Sequence, residues 1–386
     1  MTQRRWSSDR APIRATLAVA AALAAASFQG PAPALTAEET ARRGRAADEG
    51  PFAILKTLVE VPGLSGREEK VRDAIRALLP VWAEPEIDSQ GNLLVSVGPR
   101  APSPDLLFIA HMDETGYAVT TIREDGLLEV RRVGGFFDSL YEGQVVLVRS
   151  AAGDRGGVVP PRGEEGGTVP DDFSSALARV DVGARDRKTA ESLGIAPGDP
   201  VIIPKELLRL SGTKAAGRAV DDRAGCTALL LAMRRIDPGR LKRRVTFAFS
   251  VQEEVGLVGA RGLAERLRPA LVVAVDTFVS SDTPLERPAF AHTVLGEGPV
   301  IRAIDSSQIT DRALVDRVLK LARDAGLKVQ VGLTRGGNDA SVFSASGARS
   351  LALSWPGVHS HSPVEVIDER DLKALGDLVR LLAERF

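Results

Sequence analysis

The chain has 386 residues, of which 44% are hydrophobic and 26% are charged, a composition typical of a globular protein rather than a disordered one. Its formal net charge is −1 and its basic residues form no stripe, which argues against a nucleic-acid partner. A chain of this length can bury a large core, and we expect two domains. Cys226 is the only cysteine, which excludes an intramolecular disulfide bond.

The first 37 residues have the pattern of a secretory signal peptide. Four arginines precede an Ala/Leu/Val-rich run over residues 15–26, and small residues over 31–37 offer cleavage sites of the Ala-x-Ala kind. The apolar run is shorter than the roughly 20 residues of a membrane-spanning helix, so no stable membrane anchor is expected. We therefore predict that the protein is exported, to the periplasm or the extracellular space, with residues 1–37 removed.

Helical patterns and buried strands begin shortly after this segment. Residues 52–59 predict a short amphipathic helix, and the capping-box spacing from Ser65 to Glu68 predicts the start of a second helix. The apolar run 105–110 then predicts a buried strand that ends directly before His111.

The middle of the chain differs from the parts on either side of it. Short alternating segments separated by glycines predict a small β-rich domain, and the α/β rhythm returns after it. We therefore predict an α/β fold with a doubly wound, mostly parallel sheet and an inserted small β-rich domain. The predicted boundaries are 1–37 for the signal peptide, 38–117 and 213–386 for the two parts of the catalytic domain, and 118–212 for the insert.

Potential metal ligands follow several predicted strands at the points where these strands end. They are His111, the pair Glu253 and Glu254, Asp276, and the pair His359 and His361, while Asp221 and Asp222 begin a predicted helix. The carboxyl ends of parallel strands meet at one crevice, so we expect these side chains to lie close together. A lone histidine or acidic pair is more often structural or solvated, but three of the four histidines fall at such ends. Mixed imidazole and carboxylate ligands suit Zn²⁺, Co²⁺ or Mn²⁺, and bridging carboxylates suit a two-metal site.

Six short motifs occur in a fixed order along the chain. They are AHMDETG (110–116), AVDDRAGC (219–226), VQEEVGLVGA (251–260), AVD (274–276), GGNDA (336–340) and HSPVE (361–365). This set resembles the signature of the M42 aminopeptidases, the group of co-catalytic metallopeptidases that includes the glutamyl and tetrahedral aminopeptidases. The resemblance extends from about residue 52 to the C-terminus, and it implies a zinc-peptidase-like catalytic domain.

The resemblance also implies a role for each site residue. It assigns two divalent ions, Zn²⁺ in preference to Co²⁺ or Mn²⁺, to five side chains: His111, Asp221, Glu254, Asp276 and His361. Asp221 would bridge the two ions, and the peptide bond between Asp221 and Asp222 would be cis. Glu253 would be the general base, and Asp113 would orient the imidazole of His111.

The activity implied by the resemblance is that of an exported aminopeptidase, which removes N-terminal residues from peptides with a metal-activated water as the nucleophile. The implied assembly is a dimer, or a dodecamer built from dimers, with the 118–212 insert as a dimerisation or lid domain. The alternative is a related metal-dependent amidohydrolase or deacylase that acts on N-blocked substrates. A glycosidase would need a metal-free pair of acids, and a non-catalytic relative would lack ligands that are all present in this chain.

Three features depart from the family pattern. Val358 and His359 stand where the family has an Arg-Tyr pair, and Asn338 stands where threonine is usual. The export signal is also unusual for the family. None of these features removes a predicted ligand, so they bear on substrate and assembly rather than on the reaction. The sequence alone does not decide which N-terminal side chain is preferred.

Overall fold

The computed structural model describes residues 49–161, 178–282 and 293–386. The predicted signal peptide, residues 1–37, lies outside these ranges, and so does part of the predicted insert. Within the described ranges, no helix combines the length and the apolar character that crossing a membrane requires.

Seven α-helices lie in the described part of the chain. They are α1 (Pro51–Val59), α2 (Glu69–Leu78), α3 (Arg187–Ser192), α4 (Val220–Arg235), α5 (Val258–Arg266), α6 (Arg312–Asp324) and α7 (Glu369–Arg385). Short 3-10 turns cover Asp138–Tyr141, Pro238–Arg240 and Asp339–Ser346. The carboxylates of Asp311 and Asp368 accept backbone N–H groups at the starts of α6 and α7, which satisfies donors that have no partner inside the helix.

The described strands are numbered here in chain order. They are β1 (Pro85–Ile87), β2 (Leu93–Val97), β3 (Leu106–His111), β4 (Gly116–Ile122), β5 (Leu128–Val133), β6 (Val145–Ser150), β7 (Gly153–Val158), β8 (Ala178–Val180), β9 (Pro200–Ile202), β10 (Leu207–Arg209), β11 (Lys214–Gly217), β12 (Val245–Ser250), β13 (Leu271–Val279), β14 (Val300–Ile304), β15 (Gln330–Leu333), β16 (Arg349–Val358) and β17 (Glu365–Asp368).

Eleven of these strands form one mixed sheet. Its main order is β1-β2-β12-β3-β13-β16-β17-β11-β10, and β14 joins it by pairing with both β16 and β15. The α/β class is as predicted, but the prediction of a mostly parallel sheet was wrong. Within this sheet, four of the described strand pairs are parallel and six are antiparallel. The parallel pairs of β12, β3, β13 and β16 form the centre, and antiparallel pairs lie on both sides of them.

Residues of the central strands alternate between the two faces of this sheet. On β3, Phe108 packs in one core with helices α1, α4 and α7, whereas Leu107 and Ile109 pack on the opposite face with α5. Phe108 also stacks on Phe247 of β12, with ring centroids 5.3 Å apart. Burial on both faces explains why these strands are continuously apolar in sequence.

The other six strands form an antiparallel sheet in the order β7-β6-β9-β4-β5-β8. These strands lie between Gly116 and Ile202, and they have a hydrophobic core of their own. In this core Tyr117 contacts Phe136 and Tyr141 edge to face, with ring centroids 4.9 and 5.4 Å apart. The predicted domain boundaries, and the role of the insert as a dimerisation or lid domain, stay predictions.

Candidate metal centre

The structure brings the predicted site residues together at the carboxyl ends of the central strands of the eleven-stranded sheet. His111 ends β3, Glu253 and Glu254 follow β12, and His361 follows β16. One cavity of about 470 Å³ is lined by six predicted residues: His111, Asp221, Glu253, Glu254, Asp276 and His361. Asp113 is fully buried beside this cavity.

Asp276 reaches the cavity from a position that the sequence did not predict. It was expected at the end of a strand, but β13 continues for three more residues to Val279. The pairing of β13 with β3 stops at Ala274, while its pairing with β16 continues past Asp276. Asp276 therefore lies beyond the last residue of β13 that pairs with β3, and this leaves room for its carboxylate at the cavity.

Asp221 lies between the two imidazoles of the site. Its Oδ1 is 3.4 Å from Nε2 of His111, and its Oδ2 is 3.6 Å from Nε2 of His361. Oε1 of Glu254 is 3.4 Å from the same His361 nitrogen. The peptide bond between Asp221 and Asp222 is cis, as the family resemblance implied. The Asp221 carboxylate thus lies between two groups of potential ligands, one that contains His111 and one that contains His361.

Two groups of three side chains could each hold a metal ion, because their ligand atoms lie within 4.8 Å of one another. One group is His111, Asp222 and Asp276, and the other is Asp221, Glu254 and His361. The sequence marked Asp222 as a potential ligand, but the family resemblance assigned it no ligand role. Its Oδ1 accepts hydrogen bonds from the backbone of Gly225 and from Trp355, at 2.9 and 3.0 Å. Its Oδ2 has no hydrogen-bond partner among the described residues.

Contacts on the far side of each ring orient the two histidines. Nδ1 of His361 is 2.5 Å from the carbonyl oxygen of Gly135. A carbonyl oxygen only accepts, so Nδ1 carries a proton and donates it to Gly135, while Nε2 faces Asp221 and Glu254. Nδ1 of His111 is 3.4 Å from Oδ1 of Asp113. This arrangement, with one nitrogen held and the other directed into the site, is typical of metal-ligating histidines.

Asp113 also holds the loop that carries the two glutamates. Its Oδ1 accepts the backbone N–H of Glu253 at 2.9 Å, and its Oδ2 accepts that of Glu254 at 3.2 Å. The hydroxyl of Ser65 donates to the same Oδ2 at 2.6 Å. Because Asp113 also lies beside His111, it links the ends of β3 and β12.

The predicted capping box at Ser65 and Glu68 does not form. Helix α2 begins after Glu68, whose side chain makes no capping hydrogen bond. Instead, Oε1 of Glu68 accepts the backbone N–H groups of Gly66 and Gln252, at 2.7 and 3.0 Å. Both side chains are therefore used in tertiary contacts to the site loops. Local spacing could not distinguish the two uses, because each needs the same hydrogen-bonding groups.

A buried ion pair, which the sequence analysis missed, connects the segments that carry Asp221 and His361. Oε1 of Glu365 accepts from Arg218 at 3.1 Å and from the backbone N–H of His361 at 3.0 Å. Its Oε2 accepts the backbone N–H of Asp221 at 3.0 Å. Arg218 also donates to the carbonyl of Thr115 at 2.8 Å. Glu365 ends the HSPVE motif, which was the available signal for its importance.

The three residues that depart from the family pattern lie in different surroundings. Val358 is the buried last residue of β16. His359 is not among the described residues that line the cavity, which His361 does line. Asn338 is buried and donates to Asp305 at 2.8 Å, while its side-chain oxygen caps the turn by accepting from Ala340 at 3.0 Å.

The crowding of acidic groups changes their proton affinities. Burial raises the pKa of Glu253 well above its usual range, and the charges of Asp276, Asp339 and Glu254 add to this effect. Burial also raises the pKa of Glu254 to about 7. The Glu254 carboxylate in turn raises the pKa of His361 to about 10. Burial opposes ionisation of Asp221, but the neighbouring imidazoles outweigh it and lower its pKa.

The donor set fits divalent metal ions. Oδ1 of Asp221 and Oδ2 of Asp222 are buried, and neither accepts a hydrogen bond from a described residue. Unpaired buried anionic oxygens are costly unless a cation or a donor compensates them. Arg302, 3.2 Å from Oδ2 of Asp276, offsets only part of the negative charge. Imidazole nitrogens and carboxylate oxygens in this number suit Zn²⁺, Co²⁺ or Mn²⁺.

Known proteins are similar to this chain in sequence and in fold. A sequence model described as M42 glutamyl aminopeptidase matches residues 91–378. A lysyl aminopeptidase of Pyrococcus furiosus is 31% identical over 345 residues, which cover 86% of this chain and 96% of that protein. A glutamyl aminopeptidase of Lactococcus lactis subsp. cremoris is 29% identical over 330 residues, or 82% and 92% of the two chains.

The comparison of structures agrees with the comparison of sequences. The TET1 peptidase of Pyrococcus horikoshii, which can assemble into a tetrahedron or a large octahedral shell, has a TM-score of 0.78 and 36% identity. The similarity covers 87% of this chain and 100% of that one. The family match also contains every predicted site residue, from His111 to His361. This chain therefore belongs to the M42 peptidase family and is a hydrolase that acts on peptide bonds.

Proposed function

We propose that the protein is a dinuclear metal-dependent aminopeptidase with Glu253 as its general base. The observation that carries this proposal is the position of Asp221 between the two imidazoles, 3.4 Å from His111 and 3.6 Å from His361. In the proposed centre His111 and Asp276 would hold one ion, Glu254 and His361 would hold the other, and Asp221 would serve both. Zn²⁺ is the favoured metal, with Co²⁺ or Mn²⁺ as alternatives.

The chain's own residues perform the proton transfers of the proposed reaction. When bound, the two ions would lower the pKa of a water molecule and polarise the scissile carbonyl. Glu253 accepts the proton of the attacking water and returns it to the leaving amine. Burial and acidic neighbours raise its pKa, which makes the carboxylate a stronger base. Asp113 fixes the backbone of Glu253 and so keeps the carboxylate at the cavity.

Action at a free N-terminus is part of the proposal. The carboxylates that line the cavity attract a substrate amine, whereas an N-acetylated substrate offers no such group. The relatives from Pyrococcus furiosus and Lactococcus lactis are both named as aminopeptidases, which supports this choice. The alternative is a deacylase of N-blocked substrates, and the experiment below separates the two.

We test the reaction with peptides that carry either a free or an N-acetylated N-terminus. Cleavage of the free peptides only, abolished by a chelator and restored by Zn²⁺, is the expected result. Glu253→Gln should lower kcat by roughly 10²- to 10⁴-fold while two metal ions stay bound, because it removes the base and no ligand. Glu124→Gln is the matched control, since its side chain is 86% exposed. Cleavage of blocked peptides only would establish the deacylase instead.

We also propose that the protein is exported, with residues 1–37 removed as a signal peptide. The basic, apolar and small-residue segments of that stretch support this proposal. Expression of the full chain in a bacterial host, followed by fractionation and N-terminal sequencing, tests it. A full-length product that stays in the cytoplasm would contradict it.

A homo-oligomer, either a dimer or a dodecamer built from dimers, is the proposed assembly. The support is the similarity to a peptidase that can assemble into a tetrahedron. Light scattering on the purified protein measures the number of chains directly. A monomer at micromolar concentration would contradict this proposal.

A further inference from the structure

Three large apolar side chains line the cavity beside the carboxylates. They are Phe137, Leu140 and Val279, whose exposed fractions are 44%, 44% and 48%. Phe137 and Leu140 lie at the 3-10 turn between β5 and β6, and Val279 ends β13. Apolar surface in a concave site, next to a few polar groups, is the usual surface for binding a ligand.

The segment that carries Phe137 and Leu140 is fixed at both of its ends. At its start, the carbonyl of Gly135 contacts His361. At its end, Tyr141 packs in the core of the six-stranded sheet, where its ring contacts that of Tyr117. Apolar groups on a preformed segment bind a ligand at a low entropic cost. The segment also begins at a contact with a proposed metal ligand, so its apolar side chains are held close to the reacting centre.

The charged groups described in the cavity lining have other partners. The four acids, Asp221, Glu253, Glu254 and Asp276, belong to the proposed metal centre or act as its base. Arg302 pairs with Asp276 and donates to Ser354 and to the carbonyl of Gly337, both at 2.9 Å. Arg335 also lines the cavity, so the experiment must also test substrates with an acidic side chain. The apolar surface is the larger feature of this lining.

We propose that Phe137, Leu140 and Val279 bind the side chain of the N-terminal residue and select peptides that begin with a large apolar residue. This inference rests on the proposed aminopeptidase function. The N-terminal residue is the one bound next to the metal centre, because only one residue precedes the bond that is cleaved. The rest of the peptide extends from the cavity to solvent.

Two series of dipeptides test where the preference lies. In X-Ala the first residue varies, and in Ala-X the second varies, with Leu, Phe, Ala, Glu and Lys as X. We expect kcat/KM for Leu-Ala and Phe-Ala to exceed that for Ala-Ala by at least about tenfold, with a smaller spread in the Ala-X series. A faster reaction with Glu-Ala would assign recognition to Arg335 and overturn the proposal. Faster cleavage of Lys-Ala, or a preference that follows the second residue, would also overturn it.

Variants of the apolar segment test which side chains are responsible. Phe137→Ser and Leu140→Ser should each lower the ratio of kcat/KM for Leu-Ala to that for Ala-Ala by about tenfold, mainly through KM. Leu208→Ser is the matched control, because Leu208 is 51% exposed on β10 and does not line the cavity. Metal content and melting temperature are measured for every variant, so that a folding defect is recognised.

An unchanged ratio in both cavity variants, or an equal change in Leu208→Ser, would overturn the proposal. If the parent protein cleaves none of the dipeptides, the proposed function fails and this inference fails with it. A parent that cleaves Glu-Ala or Lys-Ala best leaves the aminopeptidase function standing and removes only the apolar preference. The two failures are therefore distinguishable in the same experiment.

Discussion

The two sheets supply different kinds of group to the site. Segments of the eleven-stranded sheet and its helices supply imidazoles and carboxylates, whereas the six-stranded sheet supplies the carbonyl of Gly135 and the side chains of Phe137 and Leu140. The charged groups depend on hydrogen bonds between residues far apart in the sequence. Of the three apolar groups, Phe137 and Leu140 occupy one short segment, and Val279 ends β13. Changes in the first region should therefore disturb metal binding, and changes in the second should disturb selectivity.

Among the changes that test this difference between the two regions, the largest effect is expected from Glu365→Gln. The amide that replaces one oxygen is a donor facing other donors, so the contacts to Asp221, His361 and Arg218 cannot all persist. Contacts behind metal ligands typically contribute 10- to 100-fold to metal affinity, and we expect a loss of about that size. Isothermal titration of the metal-free protein with Zn²⁺ measures it.

Glu297→Gln provides the control for this change. Glu297 pairs with Lys328 on the surface, where its side chain is 51% exposed, and an exposed pair of this kind contributes little. Unchanged Zn²⁺ affinity in Glu365→Gln would show that the buried pair is structural only. That outcome would break the link between the long-range contacts and the metal centre.

A second effect concerns the pH dependence of stability through Glu68. Burial raises the pKa of Glu68 from 4.5 to about 7, so the folded state binds its proton more tightly than the unfolded state does. Its contribution to stability is fully present below pH 4.5 and is lost as the pH rises through 7. The loss is at most about 3 kcal/mol, because one pKa unit corresponds to about 1.4 kcal/mol.

Glu68→Gln should remove this dependence. The amide oxygen can still accept from Gly66 and Gln252 without carrying a charge. We therefore expect the variant to gain stability relative to the parent between about pH 4.5 and pH 7, where Glu68 of the parent ionises. Urea unfolding midpoints near the two ends of this range measure the difference. If the unfolding midpoints of the two proteins differ by the same amount at both pH values, the prediction is contradicted.

The smallest effect is expected from Tyr117→Phe in the six-stranded sheet. The Tyr117 hydroxyl donates to the buried carboxylate of Asp138 at 2.9 Å, and its loss should cost about 1–2 kcal/mol of unfolding free energy. Metal content should stay at the parent level, because this bond touches no ligand. Loss of metal in this variant would show that the two regions are not separable.

The sequence predicted which side chains lie close together better than it predicted the sheet, and the roles of these side chains stay predictions. Buried apolar runs followed by polar residues predicted that His111 and the Glu253–Glu254 pair lie close together, and they line one cavity because β3 and β12 are parallel neighbours. Asp276 was misplaced within its strand, since nothing local indicates where the pairing with a neighbouring strand stops. The antiparallel edges are short strands, and they carry too little periodicity to reveal their direction.

The supporting contacts could not be predicted in the same way. Ser65 and Asp113 are 48 residues apart, and Arg218 and Glu365 are 147 residues apart. Such pairs exist only once the fold has formed, and their residue types fit local roles equally well. The motif that contains Glu365 indicated that the residue matters but not what it contacts.

The bond between the two sheets at His361 has an evolutionary consequence. Its acceptor is the main chain of Gly135, so the orientation of the imidazole does not depend on the side chains that follow. Residues 137 and 140 can therefore vary between relatives without disturbing the ligand beside them. Proteins that share this centre can therefore change the preferred substrate while keeping the reaction.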